Sequence, residues 1–141
     1  MIHLKLVTLT GVKFDDDVHE VLLPTLDGRI GVLTNHMPLV SAAATGIISI
    51  RRNAKDTDAV MEHFATNGGV IEVANNTIRV IVDEADNSNE INEAEVKSAL
   101  DRAMKMKSEA KDQVSLEHAQ TLIDRNSVRL RVAQLRRRTH H

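Results

Sequence analysis

The chain has 141 residues, no cysteine and two aromatic residues, Phe14 and Phe64. That length suits one domain or two small ones. The missing cysteines exclude disulfides and thiolate metal sites, and the missing aromatics leave no stacking platform for single-stranded nucleic acid. A net charge of −2 conceals an asymmetry, because residues 1–91 sum to −6 and residues 92–141 to +4. The two parts are expected to meet different surroundings.

Hydrophobic residues make up 42% of the chain, enough for a core of Val, Ile, Leu, Ala and Met. No apolar run approaches the ~18 residues of a membrane span. The first residues lack a secretory-signal pattern, since His3 and Lys5 interrupt a short alternating run. Membrane association is therefore expected to come only through a partner.

The first part reads as β. Leu4 to Leu6 and Val18 to Leu23 form short apolar or alternating runs. Between them, Asp15-Asp16-Asp17 lacks the glycine and distal glutamate of a calcium loop and reads as a solvated turn. The next stretch, Leu23 to Val40, holds both prolines and two glycines, and must turn more than once. Gly46-Ile47-Ile48-Ser49-Ile50 is a further strand, followed by a basic turn. Val60 to Ala65 and Val70 to Val73 are strands flanking a turn at Asn67-Gly68-Gly69. Asn75-Asn76 signals a two-residue hairpin, because Asn tolerates positive φ, and the Thr77 to Val82 strand returns across it. Short strands at this spacing predict a β-sandwich or barrel.

Asp86-Asn87-Ser88-Asn89 is a polar break and reads as a linker. The second part reads as α. Val96, Leu100, Ala103 and Ala110 share one helical face, with Met106 nearby, and Asn92 with Glu95 resembles a capping box. Lys111-Asp112-Gln113 makes a short connection. Leu116, Ala119, Leu122, Ile123, Leu130 and Ala133 form a second stripe, with Ser115 as the expected N-cap. Two helices of ~20 residues and a short loop predict an antiparallel hairpin. Its apolar faces are small and rich in Ala, so it is expected to need the β-domain or a partner to stay folded.

The run Leu22-Leu23-Pro24-Thr25-Leu26-Asp27-Gly28-Arg29-Ile30-Gly31-Val32-Leu33-Thr34-Asn35-His36-Met37-Pro38-Leu39 resembles the signature of the epsilon subunits of F-type ATP synthases, the delta subunits of mitochondria. The strand at 46–50 and the run Gly68-Gly69-Val70-Ile71-Glu72-Val73-Ala74-Asn75-Asn76-Thr77-Ile78-Arg79-Val80 fit the same pattern. The resemblance implies an α+β fold. A ten-stranded β-sandwich domain occupies residues 1–86, a linker 87–91, and an antiparallel two-helix regulatory hairpin 92–138. It implies a non-catalytic subunit of the central stalk, peripheral on the cytoplasmic face of a bacterial plasma membrane. There the β-domain binds the gamma subunit and the c-ring, coupling rotation to proton flow. The hairpin reaches the alpha/beta catalytic head and restrains ATP hydrolysis.

On this resemblance Leu26, Asp27, Gly28, Arg29, Ile30, Gly31 and His36 contact the c-ring and gamma. Arg29 stands where many relatives carry an acid. His36 has no second ligand at metal spacing and no nucleophile beside it, and is expected to fix its loop by hydrogen bonding. No catalytic or metal-binding constellation and no resident cofactor are expected. In the last helix, Arg125-Asn126-Ser127-Val128-Arg129-Leu130-Arg131-Val132-Ala133 resembles a pattern through which some bacterial relatives bind ATP. Guanidinium groups suit phosphate because their donors are planar and paired. The companion element differs, since Asn92 and Glu95 replace an acid and an arginine. ATP sensing through Arg125, Arg129 and Arg131 is therefore the alternative to electrostatic contact with an acidic segment of the catalytic head. Nucleic-acid binding by the arginine-rich end is disfavoured by the acidic β-domain.

Overall fold

The computed structural model describes the backbone of residues 1–139 and the side chains of residues 1–135. The arginines at 136–138 and His140-His141, noted above, lie outside the described side chains.

Strict alternation builds the first strand. In β1 (Ile2–Thr8), Ile2, Leu4, Leu6 and Thr8 are buried, while His3, Lys5 and Val7 point outward. β2 (Gly11–Val18) pairs antiparallel with it, and the three aspartates lie in this strand rather than in a turn. Two things hold them extended. Phe14 and Val18 are buried on either side of them. Each carboxylate also finds a donor: His3 bonds Asp15 and Asp17 at 2.5 and 2.8 Å, and Arg52 bonds Asp16 at 3.2 Å.

β3 (Glu20–Thr25) and β4 (Gly28–Leu33) form a hairpin around Leu26-Asp27. Gly28 takes φ +121°, a conformation few other residues adopt. β5 (Leu39–Ala43) and β6 (Gly46–Arg51) follow. β7 (Glu62–Ala74) and β8 (Thr77–Asn87) are the long pair, joined by Asn75 and Asn76 at φ +52° and +59°, as their sequence predicts.

The expected turn at Asn67-Gly68-Gly69 is a kink inside β7. The strand runs through it with Gly68 and Gly69 at φ +60° and +137°. Before the kink β7 pairs with β6, and after it with β5, while β8 follows on the other side throughout. The order is β2-β1-β8-β7-β5-β3-β4, with β6 bridging β3 and β7. This folds into a sandwich of eight strands, not ten. β7 and β8 each serve both layers, so two bent strands replace four short ones. The core between the layers is aliphatic, with Leu4, Leu6, Leu23, Ile48, Ile50, Ile71 and Ile78 fully buried.

β8 ends at Asn87, whose side chain accepts from the backbone of Asn89 and Glu90 and caps a 3₁₀ turn at Ser88–Glu90. The Asn92 side chain then accepts from the Glu95 N–H and starts α1 (Glu93–Glu109). α2 (Gln113–Thr139) starts not at Ser115 but two residues earlier. Asp112 accepts from the Ser115 N–H at 2.7 Å, since a carboxylate is the stronger partner for a helix N-terminus.

The hairpin lies against the sandwich. A second, smaller core joins Ala65 of β7, Ile91, Val96 of α1, and Val132 and Ala133 of α2. Farther out, Ala103 and Ala119 are the fully buried apolar residues between the helices, Leu100, Leu122 and Ile123 are half-buried, and Met104, Val114 and Leu116 stay exposed. The expected weakness of the hairpin is thus visible in its packing.

A Cβ on Gly69 would lie 2.0 Å from the Ile81 carbonyl oxygen, at a φ that side chains avoid. Gly69→Ala is expected to cost at least ~2 kcal/mol in urea unfolding, the range of overpacking plus backbone strain. A change below ~0.5 kcal/mol would show that β7 does not need its kink.

Candidate functional site

The densest polar constellation sits where α2 crosses the end of β8. On β8, Ile78, Val80 and Val82 alternate into the core, and the same face continues as Glu84 and Asp86. α2 brings Arg125 and Arg129 over these acids, one helical turn apart. Arg125 grips Glu84 with Nε and Nη2, both at 2.7 Å. Arg129 donates from Nη1 to Glu84 at 2.6 Å and also to Asp86.

Side-chain exposures of 17–36% place this cluster at a seam that is neither dry nor open. Burial alone would raise the Glu84 carboxyl, but the Arg125 hydrogen bonds and charge, with help from Arg129, hold it below its ordinary range. Asp86 is raised, by burial and by its Glu84 neighbour, against the pull of Arg129. Arg125 in turn is held charged by Glu84. A fork-on-carboxylate pair of this kind is the stronger class of ion pair. It ties the second helix to the sheet.

Beside it, a cleft of about 630 Å³ runs between α1 and α2, lined among others by Asn92, Glu95, Arg102, Arg125 and Arg129. Arg131 is not part of it. It faces a different cleft, between α2 and the sheet, which Arg29 also lines. There Arg29 Nη2 donates to Ser49 Oγ at 2.6 Å, and Ser49 lies 2.8 Å from His63 Nδ1. Burial, and secondly the Arg29 charge, lower the His63 pKa from its ordinary 6.5.

The other residues singled out in the sequence lie on the β3–β4 hairpin and beyond. Leu26 and Asp27 form the exposed tip, Ile30 packs against the core, and Gly31 faces Leu22 across the pair. His36 Nδ1–H donates to the Met37 carbonyl at 2.7 Å, a purely local bond. Glu84 and Asp86 were not anticipated. The signal was present: two acids in phase with three core residues on one strand face.

The outer face of the sandwich carries a second feature. One cross-strand row runs Val12, Val7, Ile81, Val70, Ala42 across β2, β1, β8, β7 and β5. Ile81 is 52% and Val70 49% exposed. The next row is charged: Asp15, Lys5, Arg79 and Glu72.

A family model for the β-sandwich domain of ATP synthase delta/epsilon chains matches residues 1–88. The chain belongs to the ATP synthase delta/epsilon family. It is 33% identical over 132 residues to the ATP synthase epsilon chain of Gloeobacter violaceus, spanning 94% of this chain and 96% of that one. It is 35% identical over 134 residues to that of Chloroflexus aggregans, spanning 95% and 93%. In three dimensions it is similar to a chain in the OSCP/F1/c-ring structure of the Euglena gracilis mitochondrial ATP synthase. The TM-score there is 0.80 at 21% identity, covering 94% of this chain and 81% of that one. A chain in the central stalk/c-ring structure of the Tetrahymena thermophila mitochondrial enzyme gives 0.59 at 17%, covering 94% and 92%. These two show that the fold, over 94% of the chain, is shared with chains of ATP synthase assemblies.

Two outcomes are expected of this site. Glu84→Gln weakens the grip on both arginines, and limited proteolysis should then cut α2 at least ~5-fold faster while the sandwich core stays protected. Equal cutting rates would remove the ion pairs from the account. For His63 the native state favours the neutral ring, so the unfolded state binds the proton more readily. Its contribution is present above about pH 6.5 and is lost as pH falls through that value toward the lowered pKa. The melting temperature of His63→Gln should therefore fall less than wild type between about pH 7.5 and pH 5.5. His3 is raised by Asp17 and Asp15 and acts in the opposite sense, which makes the comparison with wild type necessary.

Proposed function

We propose that this chain is the epsilon-type, non-catalytic rotor subunit of a proton-translocating F-type ATP synthase. Family membership supports the assignment, and its structural neighbours come from a c-ring assembly and a central stalk. Its action in this reading is mechanical rather than catalytic. Among the described residues no helix is long and apolar enough to cross a membrane; as a rotor subunit it attaches peripherally, through its partners.

The observation that carries the reading is the exposed apolar row on the outer face. A row of Val and Ile flanked by paired charges is the surface expected of a permanent subunit contact, apolar at the centre and polar at the rim. The gamma subunit is its proposed partner. The β3–β4 tip, with Leu26 and Asp27, is turned to the c-ring, and Arg29 is turned aside to Ser49. The hairpin is the regulatory part. In the docked state seen here it is held by Arg125 and Arg129; released, it reaches the catalytic head and restrains hydrolysis. Such a switch needs each partner to prefer one hairpin state.

The cleft with Arg102, Arg125 and Arg129 favours one second reading, in which ATP binds between the helices and holds them down. A nucleotide there competes with Glu84 and Asp86 for two of the three guanidinium groups.

Ile81→Lys with Val70→Glu should abolish co-purification with gamma while leaving the melting temperature within a few degrees, since both side chains are already exposed. Full retention of gamma would move the contact elsewhere. A chain ending at residue 91 should still assemble, and the resulting complex should hydrolyse ATP faster; an unchanged rate would take restraint away from the hairpin.

A further inference from the structure

Arg29 and Arg131 are far apart in sequence and sit on different elements, β4 and α2, yet they line one cleft of about 460 Å³. Among the described residues lining it there is no Asp or Glu. Neither arginine makes an ion pair among the described residues, and the one hydrogen bond of Arg29 goes to a neutral hydroxyl, Ser49. Four other described arginines differ. Arg51, Arg52, Arg125 and Arg129 each hold at least one carboxylate. Both side chains are exposed, and the acidic charge of Asp58 reaches the cluster only at His63.

The third group completes the picture. Ser49 accepts from Arg29, so its own proton is free to go to His63 Nδ1. That places the imidazole proton on Nε2, which has no partner among the described residues. Burial first, and then the Arg29 charge against that of Asp58, lowers the His63 pKa and favours the neutral ring. Two guanidinium forks and an N–H donor around a concave space are the donor set for phosphoryl oxygens.

We propose that this cleft binds a free diphosphate group, one phosphoryl group on Arg29 and the other on Arg131. A ligand so held bridges the sandwich to α2. It lies on a different face of α2 from the ion-pair seam and between different elements from the α1–α2 cleft. It therefore adds a second tie that holds the hairpin down, at a site the chain leaves open. The proposal does not rest on the rotor assignment, because the isolated chain contains the whole site.

Calorimetry of the full chain with sodium pyrophosphate tests it. Saturable binding is expected, weakened about tenfold in Arg131→Gln and in Arg29→Gln, the loss of one charge-assisted fork each, and unchanged in Arg102→Gln. Arg131 makes no bond among the described residues, so its substitution leaves the fold intact; equal melting temperatures verify this. Absence of saturable binding overturns the proposal. Loss in Arg102→Gln with retention in Arg131→Gln also overturns it, by placing the ligand between the helices. Binding to phosphatidic-acid vesicles without binding to pyrophosphate assigns the cleft to a lipid headgroup and overturns the free ligand.

Discussion

The grip of Arg125 and Arg129 on Glu84 and Asp86 is the constraint on which the arrangement of the two domains depends. The apolar contact between hairpin and sandwich is small, centred on Ala65, Ile91, Val96, Val132 and Ala133. Alanines contribute little area, and a buried valine side chain stabilises by roughly 1.5–3 kcal/mol. Against this stands the cost of ordering two helices whose outer halves fully bury Ala103 and Ala119 but leave larger apolar residues half-buried or exposed. The balance is close, and the part-buried ion pairs tip it. A domain contact that is close to balance, with its directional part in four charged groups, is one that a partner can reverse.

The sandwich is built to present those charges. β7 and β8 run the full length of both layers, and the glycine kink lets β7 change neighbours without breaking its pairing with β8. Because β8 continues past Val82, its inward face leaves the aliphatic core and arrives at the seam as Glu84 and Asp86. The same pair of strands places Ile81 and Val70 on the outer face. One structural device thus positions the proposed docking row and the acids that hold the helix. Arg29 donates to Ser49, which neighbours His63, and lines a cleft that α2 also borders. The β3–β4 hairpin and the second helix therefore share a cleft.

Much of the fold was legible in the residues. Alternation located β1, Asn75-Asn76 marked its hairpin, and Asn92 capped the first helix. Two differences from the sequence pattern share one cause: polar or glycine-rich residues look locally like breaks. Asp15-Asp16-Asp17 lies in a strand because His3 and Arg52 neutralise it, and those partners are distant in sequence. Asn67-Gly68-Gly69 bends a strand because two different neighbours, β6 and β5, pair with it on either side. Both facts are tertiary and leave no local trace. Of the site, Arg125 and Arg129 were visible as a helical pair. Their acids were hidden, because past Val82 the core residue of β8 is Ala85, and the face of Glu84 and Asp86 turns to the helix. Arg131 was grouped with the wrong neighbours, since sequence proximity on a helix does not fix which cleft a side chain enters.

The central claim is that paired charges, more than apolar contact, hold the hairpin on the sandwich. A double-mutant cycle on Glu84→Ala and Arg125→Ala, read from hydrogen-exchange protection of the α2 amides around Val132, measures that coupling directly. The account predicts a coupling of about 1.5 kcal/mol or more. A value within ~0.3 kcal/mol of zero, with α2 equally protected in all four proteins, would contradict it.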